Sequence, residues 1–337
     1  MTVLVTGGAG YIGSHMVHAL VDAGRSVVVI DNLSTGSSDF IPPSVPLFIG
    51  DAGDESLVAN VIGNQGVDSI IHFAGSIVVP ESVRDPLAYY RNNTMTTRSL
   101  LKAAVDRGVN KFIFSSTAAV YGNPDRMPVA EDAATRPLSP YGSSKLMTEI
   151  MLHDVAAAHG TSFVVLRYFN VAGADPQGRC GIATPGATHL LKVAVEAATG
   201  QRGKLDIFGT DYPTPDGTCI RDFIHVTDLV QAHVAALDYI NAGGRPVTLN
   251  AGYGHGYSVR EVIEAVRQVS GCDFTVEEAP RRPGDIMTMI ADTQRIRATL
   301  NWTPQFDDLK TIATHALAWE EQLLAKRRQP AQVTAPA

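Results

Sequence analysis

The sequence predicts an α/β protein built on a doubly wound parallel sheet, with a smaller, loop-rich α/β domain. Two observations carry this prediction. Through residue 169, short apolar runs alternate with segments of helical spacing, whereas long stretches rich in glycine and proline interrupt the pattern beyond it. Alternating strands and helices form βαβ units, whose strands run parallel and whose crossovers are right-handed.

The first half of the chain supplies the sheet. TVLVT (2–6) is continuously apolar, as is typical of a strand buried on both faces. YIGSHMVHALVDAG (11–24) has helical spacing and ends at Gly24, a residue type that commonly terminates helices. Further strands are predicted at 26–31, 46–50, 67–73, 111–116 and 162–168, and further helices near 54–64, near 86–107 and from Tyr141.

The second half is predicted to be less regular. Long loops at 170–187 and 209–223 lie on either side of an LDIF strand, and a helix is expected near 226–241. Loops of this length are usually functional or disordered. We predict a first domain over 1–169 and a second domain mainly over 170–325, which packs across the carboxyl edge of the sheet. Segments near 224–252 are expected to return to the first domain, and residues 326–337 to form a disordered tail.

Composition limits the classes of function. The 337 residues are 45% hydrophobic and 18% charged, with a formal net charge of -7, so a large core can form and no basic surface for nucleic acid is apparent. No run approaches the ~18 apolar residues of a membrane span, and no signal peptide precedes the first strand. Cys180, Cys219 and Cys272 lack paired spacing, so we expect free thiols, no metal site and a cytoplasmic location.

The segment GGAGYIG (7–13) joins the first strand to the first helix and predicts a dinucleotide site of the Rossmann type. Gly7, Gly10 and Gly13 allow a tight turn and a close backbone approach, and the helix N-terminus then receives a pyrophosphate. Asp31 ends the second strand, where a carboxylate accepts hydrogen bonds from the adenosine ribose and repels a 2′-phosphate. The sequence therefore favours NAD over NADP.

Asp51, which closes the third strand, has two interpretations that are compatible with each other. Its carboxylate is well placed for the amino group of adenine, and it could also cap the helix that begins in DESLVANV.

Tyr141 and Lys145 lie one helical turn apart, on one face of a predicted helix. A tyrosine with its ordinary pKa of about 10 is a poor base near neutrality, but a neighbouring Lys⁺ and a positive nicotinamide ring would lower that pKa. Ser115 and Thr117 place hydroxyls at the end of a strand, at the same edge of the sheet. Together these groups predict a catalytic centre rather than an exposed pair on a helix surface.

The chain resembles the extended short-chain dehydrogenase/reductase family and, within it, the UDP-glucose 4-epimerases, over roughly residues 1–325. The resemblance rests on motifs spread along the chain: VTGGAGYIGSH (5–15), HFAG (72–75), FSSTAAVYG (114–122), SPYGSSK (139–145), LRYFNVAGADP (166–176), IRDFIHVTDL (220–229) and RRPGD (281–285). It implies an enzyme, an isomerase with NAD as a tightly bound cofactor, whose first domain binds NAD and whose second binds the UDP-sugar.

The resemblance also implies roles for individual residues. Thr117, Tyr141 and Lys145 match the family's catalytic trio. The implied cofactor contacts are Gly7, Gly10, Tyr11, Ile12, Gly13, Asp31, Asn32, Leu33, Ser34, Thr35, Gly36, Asp51, Ala52, Phe73, Ala74, Gly75, Asn92, Ser115, Tyr141, Lys145 and Phe169. The implied substrate contacts are Thr117, Tyr141, Asn170, His189, Leu190, Phe208, Arg221, Arg282, Asp285 and Met289.

Three positions depart from the family's pattern. Thr117 replaces a serine, and it keeps the same hydrogen-bonding capacity on a stiffer side chain. Ile77 stands where many members carry a lysine that contacts the cofactor. Met289 matches a position that helps set the size of the sugar pocket, and because methionine is flexible, acceptance of N-acetylated sugars stays open.

The implied reaction is the interconversion of UDP-glucose and UDP-galactose by transient oxidation at C4, rotation of the 4-keto sugar and return of hydride to its other face. A 4,6-dehydratase is disfavoured because Ala118 and Ala119 replace the Asp-Glu pair that such relatives use. An epimerase or decarboxylase acting on a UDP-N-acetylhexosamine, UDP-pentose or UDP-uronic acid stays open, as does an inactive nucleotide-sensing regulator. The resemblance also implies a homodimer formed by the helix near 86–107 and the helix from Tyr141.

Overall fold

The computed structural model of the protein describes residues 1–282 and 284–328. Its strands follow in chain order: β1 (Thr2–Thr6), β2 (Ser26–Asp31), β3 (Leu47–Ile49), β4 (Val67–His72), β5 (Lys111–Thr117), β6 (Ser162–Tyr168), β7 (Asn170–Ala172), β8 (Leu205–Phe208), β9 (Ile220–Arg221), β10 (Phe223–His225), β11 (Val247–Ala251), β12 (Tyr257–Ser258), β13 (Val276–Ala279) and β14 (Thr288–Met289).

The α-helices are α1 (Tyr11–Asp22), α2 (Glu55–Gln65), α3 (Val79–Arg84), α4 (Pro86–Tyr89), α5 (Thr96–Asp106), α6 (Pro140–His159), α7 (Leu190–Ala198), α8 (Val226–Asn241), α9 (Val259–Ser270), α10 (Gln294–Leu300) and α11 (Leu309–Arg328). Two 3₁₀ turns, Ser38–Phe40 and Ala118–Tyr121, and one π-helical segment, Tyr90–Met95, complete the regular structure.

Seven parallel strands form the main sheet in the order β11-β6-β5-β4-β1-β2-β3. The predicted doubly wound α/β fold is confirmed. The strand order reverses between β1 and β4, and in such sheets ligands bind beyond the carboxyl ends of the strands at this switch point. The ends of β1, β2, β4 and β5 therefore mark the edge where a site should lie.

The core explains why the first strands are continuously apolar. Val3 and Val5 pack into a cluster with residues of α1 and α8, whereas Leu4, between them, packs into the cluster of α2, α5 and α6 on the other face. All three side chains are fully buried. Because successive side chains of a strand point to opposite faces, a sheet covered by helices on both sides requires apolar residues at every position.

Three small sheets lie outside the main one. They pair β7 with β10, β9 with β12 and β14, and β8 with β13. Their strands carry several of the predicted substrate residues, including Asn170, Arg221 and Met289. One of the two edge strands of the main sheet, β11, also comes from the second half of the chain. The division near residue 169 stays a prediction.

The structure corrects three details of the predicted elements. The helix near 86–107 is divided into α4, the π-helical segment and α5, and the two predicted loops contain β7 and β9 with the start of β10. Residues 326–328 belong to α11 instead of a disordered tail, and the rest of that tail lies outside the described residues. Within 1–282 and 284–328, no helix is both long and apolar enough to cross a bilayer.

Candidate active site

The glycine-rich turn lies at the carboxyl end of β1 and leaves no room for side chains. Gly7 has a φ of +72°, and a Cβ atom there would lie 2.6 Å from the amide nitrogen of Ala74. A Cβ on Gly13 would lie 2.8 Å from both the carbonyl carbon of Gly7 and the Cα of Gly8, with the Gly7 oxygen nearer still. Gly10 is less constrained, because the nearest atom to its Cβ would be 3.3 Å away. The turn leads into α1, whose N-terminus suits the pyrophosphate of a dinucleotide.

Asp31 holds the turn to the end of β2. Its two carboxylate oxygens accept hydrogen bonds from the backbone N–H groups of Ala9, at 2.9 Å, and Leu33, at 2.8 Å. A carboxylate has about four acceptor positions, so it can still bind a ribose diol. The other residues predicted on this side, Asn32, Leu33, Ser34, Thr35 and Gly36, form the loop that follows β2.

Asp51 and Ala52 follow β3 at the same edge. The carboxylate of Asp51 accepts a hydrogen bond from the backbone N–H of Gly53 at 2.7 Å. The helix-cap interpretation of Asp51 is wrong, because Asp54 caps α2 by accepting hydrogen bonds from the N–H groups of Ser56 and Leu57. The adenine contact proposed for Asp51 stays a prediction.

Thr117, Tyr141 and Lys145 lie together at the centre of this edge. Pro140 occupies the first turn of α6 and Ser139 caps it, so Tyr141 enters the site from the start of the helix. The hydroxyl of Thr117 is near enough to the phenol of Tyr141 to lower its pKa, and the Lys145 ammonium donates to the carbonyl oxygen of Ser115 at 3.1 Å. All three side chains are buried.

Burial dominates the titration of these groups. It raises the pKa of Tyr141, although the hydrogen bond from Thr117 acts in the opposite direction. Burial therefore opposes the lowering of the Tyr141 pKa that Lys145 and a positive nicotinamide ring are predicted to cause together, and that lowering stays a prediction. Burial also lowers the pKa of Lys145 to about 8, against the opposing effect of the Glu149 carboxylate.

Four more of the predicted cofactor contacts follow β4 and β6, and one of them, Phe169, is predicted to lie by the nicotinamide. The backbone N–H groups of Phe73 and Ala74 both donate to the carbonyl of Thr6, at 2.9 and 3.1 Å. A Cβ atom on Gly75 would lie 3.6 Å from the Lys145 ammonium, so this glycine borders the catalytic lysine. Phe169 is buried in a cluster with Ala118 and Met289.

Two of the predicted cofactor contacts, Asn92 and Ser115, have side chains that lie within hydrogen-bonding distance of nearby polar side chains. The Asn92 amide donates to the Ser76 hydroxyl at 2.7 Å, and the Ser115 hydroxyl is 3.2 Å from Nε2 of His233. Sequence reasoning missed Asn93, which is more deeply buried than Asn92. Its amide oxygen accepts from the N–H of Ser76 at 2.7 Å, and its NH₂ donates to the hydroxyl of Ser144 at 3.0 Å.

Tyr11 and Ile12 begin α1, directly after the glycine turn. The Tyr11 hydroxyl donates to the carbonyl of Gly173 at 2.8 Å, which connects the turn with the loop that follows β7.

Backbone hydrogen bonds around Asp222 bring together Asn170, Arg221 and Met289. Asp222 itself was not among the residues predicted from the sequence. The Asn170 N–H donates to the Asp222 carbonyl at 3.0 Å, and the Asp222 N–H donates to the Met289 carbonyl at 3.1 Å. The buried Asp222 carboxylate accepts from three backbone N–H groups, those of Tyr253, Gly254 and Ala291. An acidic residue between Arg221 and Phe223 is only a weak indication of such a role in the sequence, because the N–H groups that bind its carboxylate are distant in sequence.

The remaining predicted substrate residues form two groups. The Arg282 guanidinium lies 4.7 Å from the centroid of the Phe208 ring and is hydrogen-bonded to Asp285 at 3.0 Å, so these three side chains are brought together. His189 and Leu190 lie at the N-terminus of α7, where His189 makes no capping hydrogen bond. Nδ1 of His189 is buried and has no hydrogen-bond partner among the described residues, as expected where a ligand completes a site.

Three comparisons place the chain among known proteins. A model of the NAD dependent epimerase/dehydratase family matches residues 3–252. The chain is 57% identical over 321 residues to a UDP-glucose 4-epimerase of Azospirillum brasilense, covering 95% of this chain and 92% of that protein.

Solved structures agree with this match. A UDP-glucose 4-epimerase of Brucella ovis in complex with NAD superposes with a TM-score of 0.92 at 42% identity, covering 94% of this chain and 97% of that one. A UDP-Glc/GlcNAc 4-epimerase of Campylobacter jejuni gives a TM-score of 0.84 at 48% identity, covering 95% and 99%. These similarities confirm the resemblance over nearly the whole chain.

Proposed function

The chain belongs to the NAD-dependent epimerase/dehydratase family, and we propose that it interconverts UDP-glucose and UDP-galactose with a tightly bound NAD. One observation carries the proposal: buried Thr117, Tyr141 and Lys145 lie together at the carboxyl edge of a doubly wound sheet, beside the glycine turn. Ala118 and Ala119 follow Thr117, so no carboxylate stands there for the elimination of water.

The glycine turn fits NAD because it leads directly into the N-terminus of α1, which favours a pyrophosphate. Cβ atoms on Gly7 and Gly13 would collide with backbone, so glycine is required for this turn to form. Asp31 is proposed to accept hydrogen bonds from the hydroxyls of the adenosine ribose. When bound, NAD supplies a hydride acceptor that later returns the hydride, together with the positive charge of its oxidised ring. Because each turnover begins and ends with the same oxidation state, the cofactor need not leave.

Tyr141 is the proposed acid–base group. It removes the proton from the sugar 4-hydroxyl and gives it back when the ketone has been reduced on the opposite face. Because burial raises the pKa of this phenol in the protein alone, the reactive phenolate requires positive charge nearby, and the Lys145 ammonium provides it. The Thr117 hydroxyl orients the sugar oxygen towards Tyr141.

The UDP moiety is proposed to stay fixed while the sugar turns. Arg221 and Arg282 suit a diphosphate, because a guanidinium binds phosphate oxygens in a bidentate manner. Asn170, His189, Leu190, Phe208 and Asp285 are proposed to hold the rest of the nucleotide. Such an arrangement leaves the 4-keto sugar free to present either face.

Met289 is the residue proposed to influence which UDP-sugars the site accepts. Its side chain is 5% exposed and packs in the cluster that contains Phe169 and Ala118. Because methionine adapts its shape, and because the Campylobacter jejuni relative is described as acting on both Glc and GlcNAc, we propose that UDP-N-acetylhexosamines are also substrates. UDP-pentoses and UDP-uronic acids belong in the same assay as competing candidates.

The oligomeric state is proposed from an apolar surface. α3, α4, the π-helical segment and α6 expose Val83, Leu87, Met95, Met147 and Ile150, with exposures of 63%, 78%, 57%, 43% and 53%. Side chains of this kind on adjoining helices mark an interaction surface, and we propose a homodimer formed there. The three cysteines are free thiols, which supports a cytoplasmic location.

The test is an assay of purified protein with UDP-galactose and no added NAD. We expect formation of UDP-glucose and about one NAD per chain, and Tyr141→Phe should lower turnover roughly 100- to 10,000-fold while retaining NAD. Tyr239→Phe is a matched control, because its hydroxyl bonds the carbonyl of Arg245. Accumulation of free NADH or of a 4-keto-6-deoxy sugar would contradict the epimerase, and NAD binding without turnover would indicate a regulator.

A further inference from the structure

We propose that Glu149 is a positioning residue for the reaction: its carboxylate, held by Arg167, fixes the helix that carries Tyr141 and Lys145 against the strand end that carries Thr117. The inference rests on the proposed function and adds to it two residues outside the predicted site. Neither is expected to touch the cofactor or the sugar.

Glu149 forms a bidentate pair with Arg167 in the interior. Nε of Arg167 is 3.1 Å from Oε1 of Glu149, and Nη2 is 2.6 Å from Oε2. The two side chains are only 7% and 4% exposed. The hydroxyl of Ser116, the residue before Thr117, donates to the same carboxylate. The pair therefore joins α6 to the ends of β5 and β6.

Arg167 extends this connection to the segment after Thr117. Its Nη1 donates to the Tyr121 hydroxyl at 3.0 Å and to the Glu131 carbonyl at 3.2 Å. The Tyr121 hydroxyl donates in turn to the side-chain oxygen of Asn250 at 2.6 Å. Every element that delivers a catalytic side chain is thus tied to one buried guanidinium–carboxylate pair.

Stability alone is a weak explanation for such a pair. Removing two charges from water costs nearly as much as their attraction returns, so apolar replacement of a buried pair is often neutral or stabilising. The position of Glu149, one turn after Lys145 on α6, suggests what else the carboxylate does.

Glu149 supplies negative charge to the surroundings of Lys145. The other titratable side chains there are Tyr141 on α6, Tyr89 on α4, His72 on β4, Tyr168 on β6 and His233 on α8. In the protein without cofactor, burial raises the pKa of the three tyrosines and lowers the pKa of His72 to about 3 and of His233 to about 4, so none of the five carries charge at neutral pH. Arg167, which is cationic, is bonded to Glu149. The carboxylate therefore favours the charged form of Lys145, against burial.

The first variant is Glu149→Gln in the NAD-loaded protein. We expect turnover to fall roughly 10- to 100-fold, as a small misplacement of catalytic groups does. Because Lys145 must stay charged, we also expect the alkaline limb of the kcat profile to move down by about one pH unit or more. The NAD content should be unchanged.

The second variant, Glu149→Gln with Arg167→Met, separates positioning from folding. It removes both charges and leaves an acceptor for Ser116, so the melting temperature should recover relative to Glu149→Gln. Turnover should not recover. The alkaline limb should return only part of the way, because Arg167→Met removes an unpaired positive charge but does not restore the negative charge of Glu149. The matched control is Lys192→Met with Glu320→Gln, a pair whose side chains are 4% and 0% exposed between α7 and α11. It should change the melting temperature without moving the pH profile.

The outcomes distinguish the inference from the function on which it rests. A wild-type protein without epimerase turnover refutes the proposed function. An active wild type overturns the inference alone if Glu149→Gln keeps its pH profile, or if the double variant regains turnover together with its melting temperature. If both variants lose NAD and fail to fold, the pair serves folding and the proposed positioning role is wrong.

Discussion

Gly13→Ala should weaken the binding of NAD, and the structure indicates by how much. The new Cβ would lie 2.8 Å from two backbone atoms of Gly7 and Gly8, whereas ordinary contact begins at 3.4 Å, so the turn must open by at least 0.6 Å. Overpacking of this kind costs about 1–3 kcal/mol. Since about 1.4 kcal/mol is tenfold in a binding constant, NAD affinity should fall roughly 10- to 100-fold.

The neighbouring glycines provide a graded series. Gly10→Ala should have a small effect, because its Cβ would approach only the Gly7 oxygen, at 3.3 Å. Gly63→Ala is the control: Gly63 lies inside α2, and its Cβ would be 3.8 Å from the nearest atom, the Nη1 of Arg107. Alanine should stabilise that helix by about 0.5–1 kcal/mol and leave NAD unaffected.

The assay measures NAD released from each purified variant by denaturation, together with its melting temperature. The expected order of NAD loss is Gly13→Ala, then Gly10→Ala, with Gly63→Ala equal to wild type. If Gly13→Ala retained about one NAD per chain and the wild-type melting temperature, the assignment of this turn to the pyrophosphate would be refuted.

Three further predictions concern other parts of the molecule. The folding stability should fall as the pH drops below 6.5. Burial lowers the pKa of four histidines in the folded protein, to about 3 for His72 and His225 and to about 4 for His15 and His233. The unfolded chain therefore binds protons that the folded protein does not. Each such histidine should contribute a loss of about 1.4 kcal/mol per pH unit below its unfolded pKa; equal melting temperatures at pH 7.5 and 5.5 would contradict this. Leu87→Glu should give monomers in light scattering, whereas Arg25→Glu, on another surface, should not, and a monomeric wild type would refute the proposed dimer. Asp222→Ala should raise KM for UDP-galactose more than it lowers kcat, because it releases the backbone that places Asn170, Arg221 and Met289; a selective loss of kcat would argue against that role.

The sheet was predictable because parallel strands covered on both faces require apolar residues at every position. Val3, Leu4 and Val5 are all fully buried, although they face two different helix layers. Tyr141 and Lys145 were predictable because their relation is local: a spacing of four residues places them on one helical face. Features encoded within one turn or one strand can be recognised directly in the amino-acid sequence.

Features that depend on distant partners could not be predicted. The Asp222 carboxylate is held by N–H groups at residues 253, 254 and 291, and Arg167 meets Glu149 only because β6 and α6 pack together. The burial that raises the pKa of Tyr141 in the protein alone could not be predicted for the same reason, since burial is a property of the whole fold. Asp51 and Asp54 differ by three residues, and only the actual start of α2 decides which one caps it.

The central claim is that hydride leaves C4 of the sugar and returns to the same carbon. UDP-galactose with deuterium at C4 tests it, in ordinary water without added NAD. We expect UDP-glucose that retains its deuterium at C4, with none released to the solvent. Loss of deuterium to water, or its appearance at another carbon, would contradict transient oxidation at C4 within a closed site.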